Sequence, residues 1–194
     1  DIIASGLRQF YWPPAMEGVD PGHKWTFLRV HKTGESVSSG TETFVLPDDY
    51  GGGIDAIHST ALDAPSIPII DRPQFEAQKV GGTTTTGTPR SATIYVSAAA
   101  GASESERYTV ELFPQPDANL TLSYEYDLIP DMIGVSVEYP FGAQLHSETI
   151  LASCMAVMEQ RANEGDTGPF YQLFAQHLVT SMQNDKSLVS GAGR

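Results

Sequence analysis

The spacing of apolar positions changes twice along the chain. Ile2, Ile3, Leu7, Phe10 and Tyr11 recur at helical spacing. Pro13-Pro14 ends that run, because proline has no backbone N–H and restricts the residue before it. Residues 25–128 read instead as strands. Strands are predicted over residues 25–30, 42–46 and 53–58, with a short piece at 68–70. Residues 73–79 are expected to make one or two helical turns, since proline suits a first turn. The threonine-rich stretch 81–89 reads as an exposed loop or as an edge strand. Three cleaner strands follow at 92–97, 108–113 and 120–128. The last places Leu120, Leu122, Tyr124, Tyr126 and Leu128 on one face and Thr121, Ser123, Glu125 and Asp127 on the other, the pattern of an antiparallel strand with one wet face. Short connections, at 101–104 and at Gln115-Pro116-Asp117, suit hairpins.

After Tyr139-Pro140-Phe141-Gly142 the period is helical again. Leu151, Cys154, Met155, Met158 and Ala162 form one stripe; Phe170, Phe174, His177, Leu178 and Met182 form another. Gly165-Asp166-Thr167-Gly168 separates them, so the two helices are expected to pack as an antiparallel hairpin. Both stripes read as core, and truncation of a buried Leu151 to alanine would cost roughly 2–5 kcal/mol. The predicted class is α+β: an N-terminal helix (residues 1–20) and a C-terminal helical hairpin (140–187) form a small bundle. A large antiparallel β insertion (21–139) separates them. Residues 188–194 form a Gly- and Ser-rich tail expected to be mobile when free.

The 194 residues include 40% hydrophobic positions, enough for a packed core. A formal charge of −13 repels phosphates and argues against a nucleic-acid groove. Arg8, Lys24, Arg29 and Lys32 are a loose basic grouping that reads as a solvated face. Cys154 is the single cysteine, which excludes an intramolecular disulfide and a CxxC site; its apolar surroundings favour a small hydrophobe over a nucleophile. No apolar run is long enough to span a bilayer, and no signal peptide is visible.

Little in the chain points to chemistry. Leu46-Pro47-Asp48-Asp49-Tyr50-Gly51-Gly52-Gly53 holds two carboxylates and three glycines, the raw material of a metal or phosphate loop. It lacks the Lys-Ser/Thr of a phosphate loop, and adjacent aspartates in a turn cap local donors, so it reads as a structural corner. His23, His31, His58, His146 and His177 form no metal-ligand spacing, and Ser147 and Ser153 lie in no nucleophile elbow. No catalytic, metal or cofactor residue is singled out, and no cofactor is expected.

The landmarks in order are Gly6-Leu7-Arg8-Gln9-Phe10-Tyr11-Trp12-Pro13-Pro14, Trp25-Thr26-Phe27-Leu28-Arg29, Leu46-Pro47-Asp48-Asp49-Tyr50-Gly51-Gly52, Leu112-Phe113-Pro114-Gln115-Pro116-Asp117, Leu120-Thr121-Leu122-Ser123-Tyr124-Glu125-Tyr126 and Tyr139-Pro140-Phe141-Gly142, leading into His146-Ser147-Glu148-Thr149-Ile150-Leu151-Ala152-Ser153. Taken together they resemble the head-to-tail adaptor, or neck, proteins of tailed bacteriophages. The threonine-rich loop at 83–88 lies outside that resemblance. The family implies a helical bundle with a β insertion and no enzymatic activity. It implies a virion protein, assembled in the host cytoplasm, that forms a ring, commonly a dodecamer. Its partners would be other copies of itself, the portal protein and a tail, nozzle or stopper protein. DNA would pass through the lumen without sequence-specific binding, and no membrane is involved. Candidate contacts with a neighbouring subunit or the portal are Phe10, Tyr11, Trp12, Trp25 and Phe27, for which the core is the alternative, and Arg194 in the tail. Two other readings are a carbohydrate-binding module using Tyr95, Tyr108, Tyr124 and Tyr126, and a hydrolase using Asp48, Asp49 and Glu148.

Overall fold

A computed structural model describes residues 1–16, 18–20, 22–59, 66–79, 85–98, 107–131, 139–142, 144–163, 165 and 168–190. In chain order the elements are α1 (Ile2–Tyr11), β1 (Arg29–Val37), β2 (Thr43–Val45), β3 (Ala56–Ser59), β4 (Ile67–Pro68), α2 (Arg72–Gln78), β5 (Thr86–Gly87), β6 (Ser91–Ala98), β7 (Arg107–Phe113), β8 (Gln115–Pro116), β9 (Leu120–Asp127), α3 (Ser147–Ala162) and α4 (Pro169–Ser190). The fold is α+β, with the helices of the bundle at the two ends of the chain. The chain divides into a helical unit, Asp1–Leu28 with Pro130–Arg194, and a β unit, Arg29–Ile129.

In the helical unit α1 begins at Asp1, whose side chain accepts the Ile3 N–H at 3.0 Å, and buries Gly6, Leu7, Phe10 and Tyr11. It packs on α3, which also packs on α4. The α4 stripe is buried as expected at Phe174, Leu178 and Met182. The α3 stripe is not: Leu151 is 55% exposed and Met158 48%. The buried face carries Thr149, Ile150, Ala152, Ser153, Ala156 and Val157 instead. A helix with a neighbour on two sides has no single apolar stripe. Small residues fill its close contacts and the longer side chains are left outward. Truncating Leu151 therefore costs far less than a core leucine would. Glu159 turns inward to accept the Tyr171 N–H at 3.1 Å, which caps the start of α4. α4 runs through Ser190, so the segment expected to be a mobile tail is helical up to that point; residues 191–194, with Arg194, lie outside the described residues.

The strand expected over residues 25–30 is a correction. Residues Thr26–Leu28 form a turn of 3-10 helix, and Trp25 is buried among aromatic rings of the helical unit. The strand begins at Arg29 and continues through a polar run, His31-Lys32-Thr33-Gly34-Glu35-Ser36, that the apolar pattern did not mark.

In the β unit, one antiparallel sheet has the order β1-β9-β3-β4 and a second has β2-β7-β6. β9 alternates as expected: Leu120, Leu122, Tyr124 and Tyr126 are buried, with Tyr124 against Phe44 of the other sheet at 6.1 Å between ring centroids. The Gln115–Pro116 link is not a hairpin. β7 and β9 belong to different sheets, and the link carries the chain between them while pairing in parallel with Thr86–Gly87. That pairing is the edge-strand alternative for the threonine run; residues 80–84 lie outside the described residues, as do 101–104.

Helix α2 covers the outer face of β6 and β7. Phe75 is fully buried against Phe113, and Glu111, 6% exposed, receives Arg72 at 2.6 Å and Lys79. Burial alone would raise the Glu111 pKa, but the bonds from Lys79 and Arg72 outweigh it and hold the carboxyl below its ordinary value of 4.5. The stabilisation from this cluster is therefore present above that value and is lost as pH falls through the folded-state value. Amide exchange of α2, corrected for its intrinsic pH dependence, is expected to be slow at neutral pH and to accelerate on acidification. Glu111→Gln should raise exchange at neutral pH and flatten the acid response. An acid response as steep in that variant would assign it to other carboxylates.

Candidate interaction surfaces

The Asp48–Gly53 turn is built into the end of β9. Gly51 donates to the Asp127 carbonyl at 2.8 Å, Asp127 returns its N–H to Gly52 at 2.8 Å, and Ile129 donates to the Asp49 carbonyl at 2.7 Å. The Asp49 side chain accepts the Tyr126 hydroxyl at 2.9 Å, and burial together with this bond pushes that hydroxyl's pKa up to about 12. Gly53 has φ +77°, and a Cβ there would lie 2.4 Å from the Asp127 carboxylate and 2.9 Å from the Arg29 guanidinium. Arg29, read as part of a solvated basic face, instead binds Asp127 at 2.9 Å and the Gly53 carbonyl at 2.8 Å. Asp49 and Asp127 are thus committed to internal partners.

The aromatic candidates separate by burial. Phe10, Tyr11 and Trp25 are 0%, 2% and 2% exposed and form the core of the helical unit, so they offer no outer surface. Their alternative, the core, is the one realised. Phe10 lies 4.6 Å from Trp25 between ring centroids, and the Trp25 indole donates to the Phe10 carbonyl at 3.1 Å. The Tyr11 hydroxyl accepts the Phe141 N–H at 2.9 Å. Phe27 is half-buried. Trp12, 50% exposed, lines a shallow hollow of about 450 Å³ with Arg8, Gln9, Pro14, Gln160 and Tyr171.

One apolar concavity among the described residues lies outside the expectations drawn from the amino-acid pattern. A groove of about 570 Å³ runs along α1 and the start of α3, lined by Ile3, Tyr139, Pro140, Ile150, Leu151 and Cys154. Leu151, Ile3 and Tyr139 present hydrophobic surface there, with 55%, 50% and 79% exposure. The signal for it in the sequence is Leu151 itself, whose helical spacing predicts core. Burial pushes the Cys154 thiol pKa up, away from the thiolate a nucleophile needs.

The tyrosines do not form one platform. Tyr124 and Tyr126 are buried at 0% and 3% exposure, while Tyr95 and Tyr108 are half-buried on the other sheet. Tyr108 meets Tyr50 edge-on at 5.1 Å in a cleft of about 280 Å³ beside Gly51 and Gly52. Coplanar exposed rings, which sugar stacking requires, are absent from this set. Of the hydrolase candidates, Asp48 and Asp49 belong to the β unit and Glu148 to the helical unit. Among the described residues no three His, Cys, Asp or Glu side chains gather as a metal site, and no helix is long and apolar enough to cross a membrane.

No family model matches the chain, and no curated protein matches its sequence.

Proposed function

We propose that this chain is a structural virion protein, a ring adaptor between the portal and the tail of a bacteriophage, with no catalytic role. The observation that carries the reading is the ordered set of landmarks, which fall at the joints of the fold. Tyr11-Trp12-Pro13-Pro14 ends α1, Leu46 to Gly53 forms the corner locked to β9, and Tyr139-Pro140-Phe141-Gly142 leads into α3. The apolar groove beside α1 supports an assembly role, because a surface of that kind is costly to leave in water. In a ring each contact is heterologous: one face of a copy meets a different face of the next, and a stable contact buries about 1,600 Å². The charge of −13 suits a lumen through which DNA slides without adhering.

Light scattering of the purified chain, with and without purified portal rings, tests the reading. Rings of the chain alone, or cosedimentation with portal, are expected. A chain that stays monomeric and does not sediment with portal would count decisively against it.

A further inference from the structure

Asp185 is fully buried although it lies in the last turns of α4. Its Oδ1 accepts the Thr26 hydroxyl at 2.6 Å, and its two oxygens share the Thr26 backbone N–H at 3.3 and 3.1 Å. Its Oδ2 lies 3.1 Å from Nε2 of His23, whose side chain is 3% exposed. That nitrogen makes no aligned hydrogen bond. The Trp25 ring touches both His23, at 4.7 Å between centroids, and His146, at 5.2 Å. His146 is 1% exposed and its Nδ1 has no hydrogen-bond partner. Three stretches far apart in the chain therefore converge on one carboxylate and two imidazoles.

We propose that this cluster is an acid-sensitive clasp: Asp185 balances one protonated imidazole, and a second proton opens the junction between the last turns of α4 and residues 23–28. Among the described residues the charged or titratable groups facing His146 are Asp185 from α4 and His23; α1 contributes Phe10 and the 3-10 turn contributes Phe27. A buried imidazolium without its own counter-charge is strongly disfavoured. Burial lowers the His146 pKa, the Asp185 charge opposes that, and His23 adds to the lowering. The open form then binds a proton that the closed form refuses. Opening is favoured as pH falls below the ordinary histidine value, and closure is favoured above it.

The clasp carries its own reporter, because Trp12→Phe leaves Trp25 as the single tryptophan. Between about pH 7.5 and about pH 5, amide exchange over residues 180–190, corrected for its intrinsic pH dependence, should rise by up to about tenfold per pH unit. Trp25 fluorescence should change over the same range. His146→Phe keeps a ring among Phe10, Trp25 and Phe27 while removing the second proton site, and should flatten both responses. Exchange over 180–190 that does not depend on pH in the unaltered chain, or an equal step in His146→Phe, overturns the clasp. If that variant does not fold, NMR titration of the unaltered chain decides. A His146 ring that titrates below the ordinary value, in step with the α4 amides, supports the clasp; titration at the ordinary value, uncoupled from them, overturns it.

Discussion

Replacing Gly6 with valine is expected to detach α1 from α3 and unfold the helical unit. A Cβ at Gly6 would lie 2.6 Å from the Cys154 Sγ, 2.8 Å from the Cys154 Cα and 2.9 Å from its backbone N. The sulfur can rotate, but the backbone atoms cannot. The same close approach lets the buried Ser153 hydroxyl donate to the Gly6 carbonyl at 2.7 Å. A glycine inside a helix costs about 1 kcal/mol relative to alanine, so even Gly6→Ala gains that much in propensity. Against this stand roughly 1–3 kcal/mol of overpacking and about 1–3 kcal/mol for a Ser153 hydroxyl left buried without its acceptor. The losses win for alanine, and the branched valine adds more contacts of the same kind. Urea denaturation read by amide exchange in α1 and α3 measures this. Adding Cys154→Ala to Gly6→Ala should restore part of the loss, since it removes the sulfur contact and leaves the backbone ones. A Gly6→Ala chain as stable as the unaltered one would show that the helices do not cross there.

What was legible in the amino-acid pattern depended on whether one neighbour or several decide each residue's surroundings. β9 could be read residue by residue because one face meets the other sheet and the opposite face is left more exposed, so alternation alone encodes it. α4 was legible for the same reason, its buried residues falling on one stripe. α3 was not, because helices on two sides divide its buried positions and leave Leu151 and Met158 outside. Trp25 alternates with Phe27 as a strand would, yet its partners are Phe10 and His146, which no local pattern can anticipate. The Asp48–Gly53 corner was recognisable from its glycines and proline. Its lock onto Asp127 and Tyr126 comes from residues nearly eighty positions later. The cluster of His23, His146 and Asp185 carries no spacing signal at all, since it exists only once α4 has folded back.

Phe10→Ala and Trp12→Ala are expected to separate core from contact surface, although the two residues are two positions apart. Phe10 is fully buried, with Tyr11, Trp25, Phe27 and His146 all within 6.2 Å between ring centroids. Its truncation should cost about 3–5 kcal/mol, a large share of the roughly 5–15 kcal/mol that holds a typical domain together. The helical unit should then melt well below the unaltered chain, and any loss of assembly would be secondary to unfolding. Trp12 is half exposed and lines only a shallow hollow, so its truncation should leave the melting temperature nearly unchanged. A tryptophan at a subunit contact commonly contributes 2 kcal/mol or more to binding. If the chain assembles through this face, Trp12→Ala should therefore weaken ring formation or portal binding by about thirtyfold or more at unaltered stability. Calorimetry and light scattering on the same two samples give the paired readout. A stable, assembly-competent Trp12→Ala chain would move the contact away from α1's end. The groove beside Ile3 and Leu151 would then be an apolar surface on the helical unit for that contact to use.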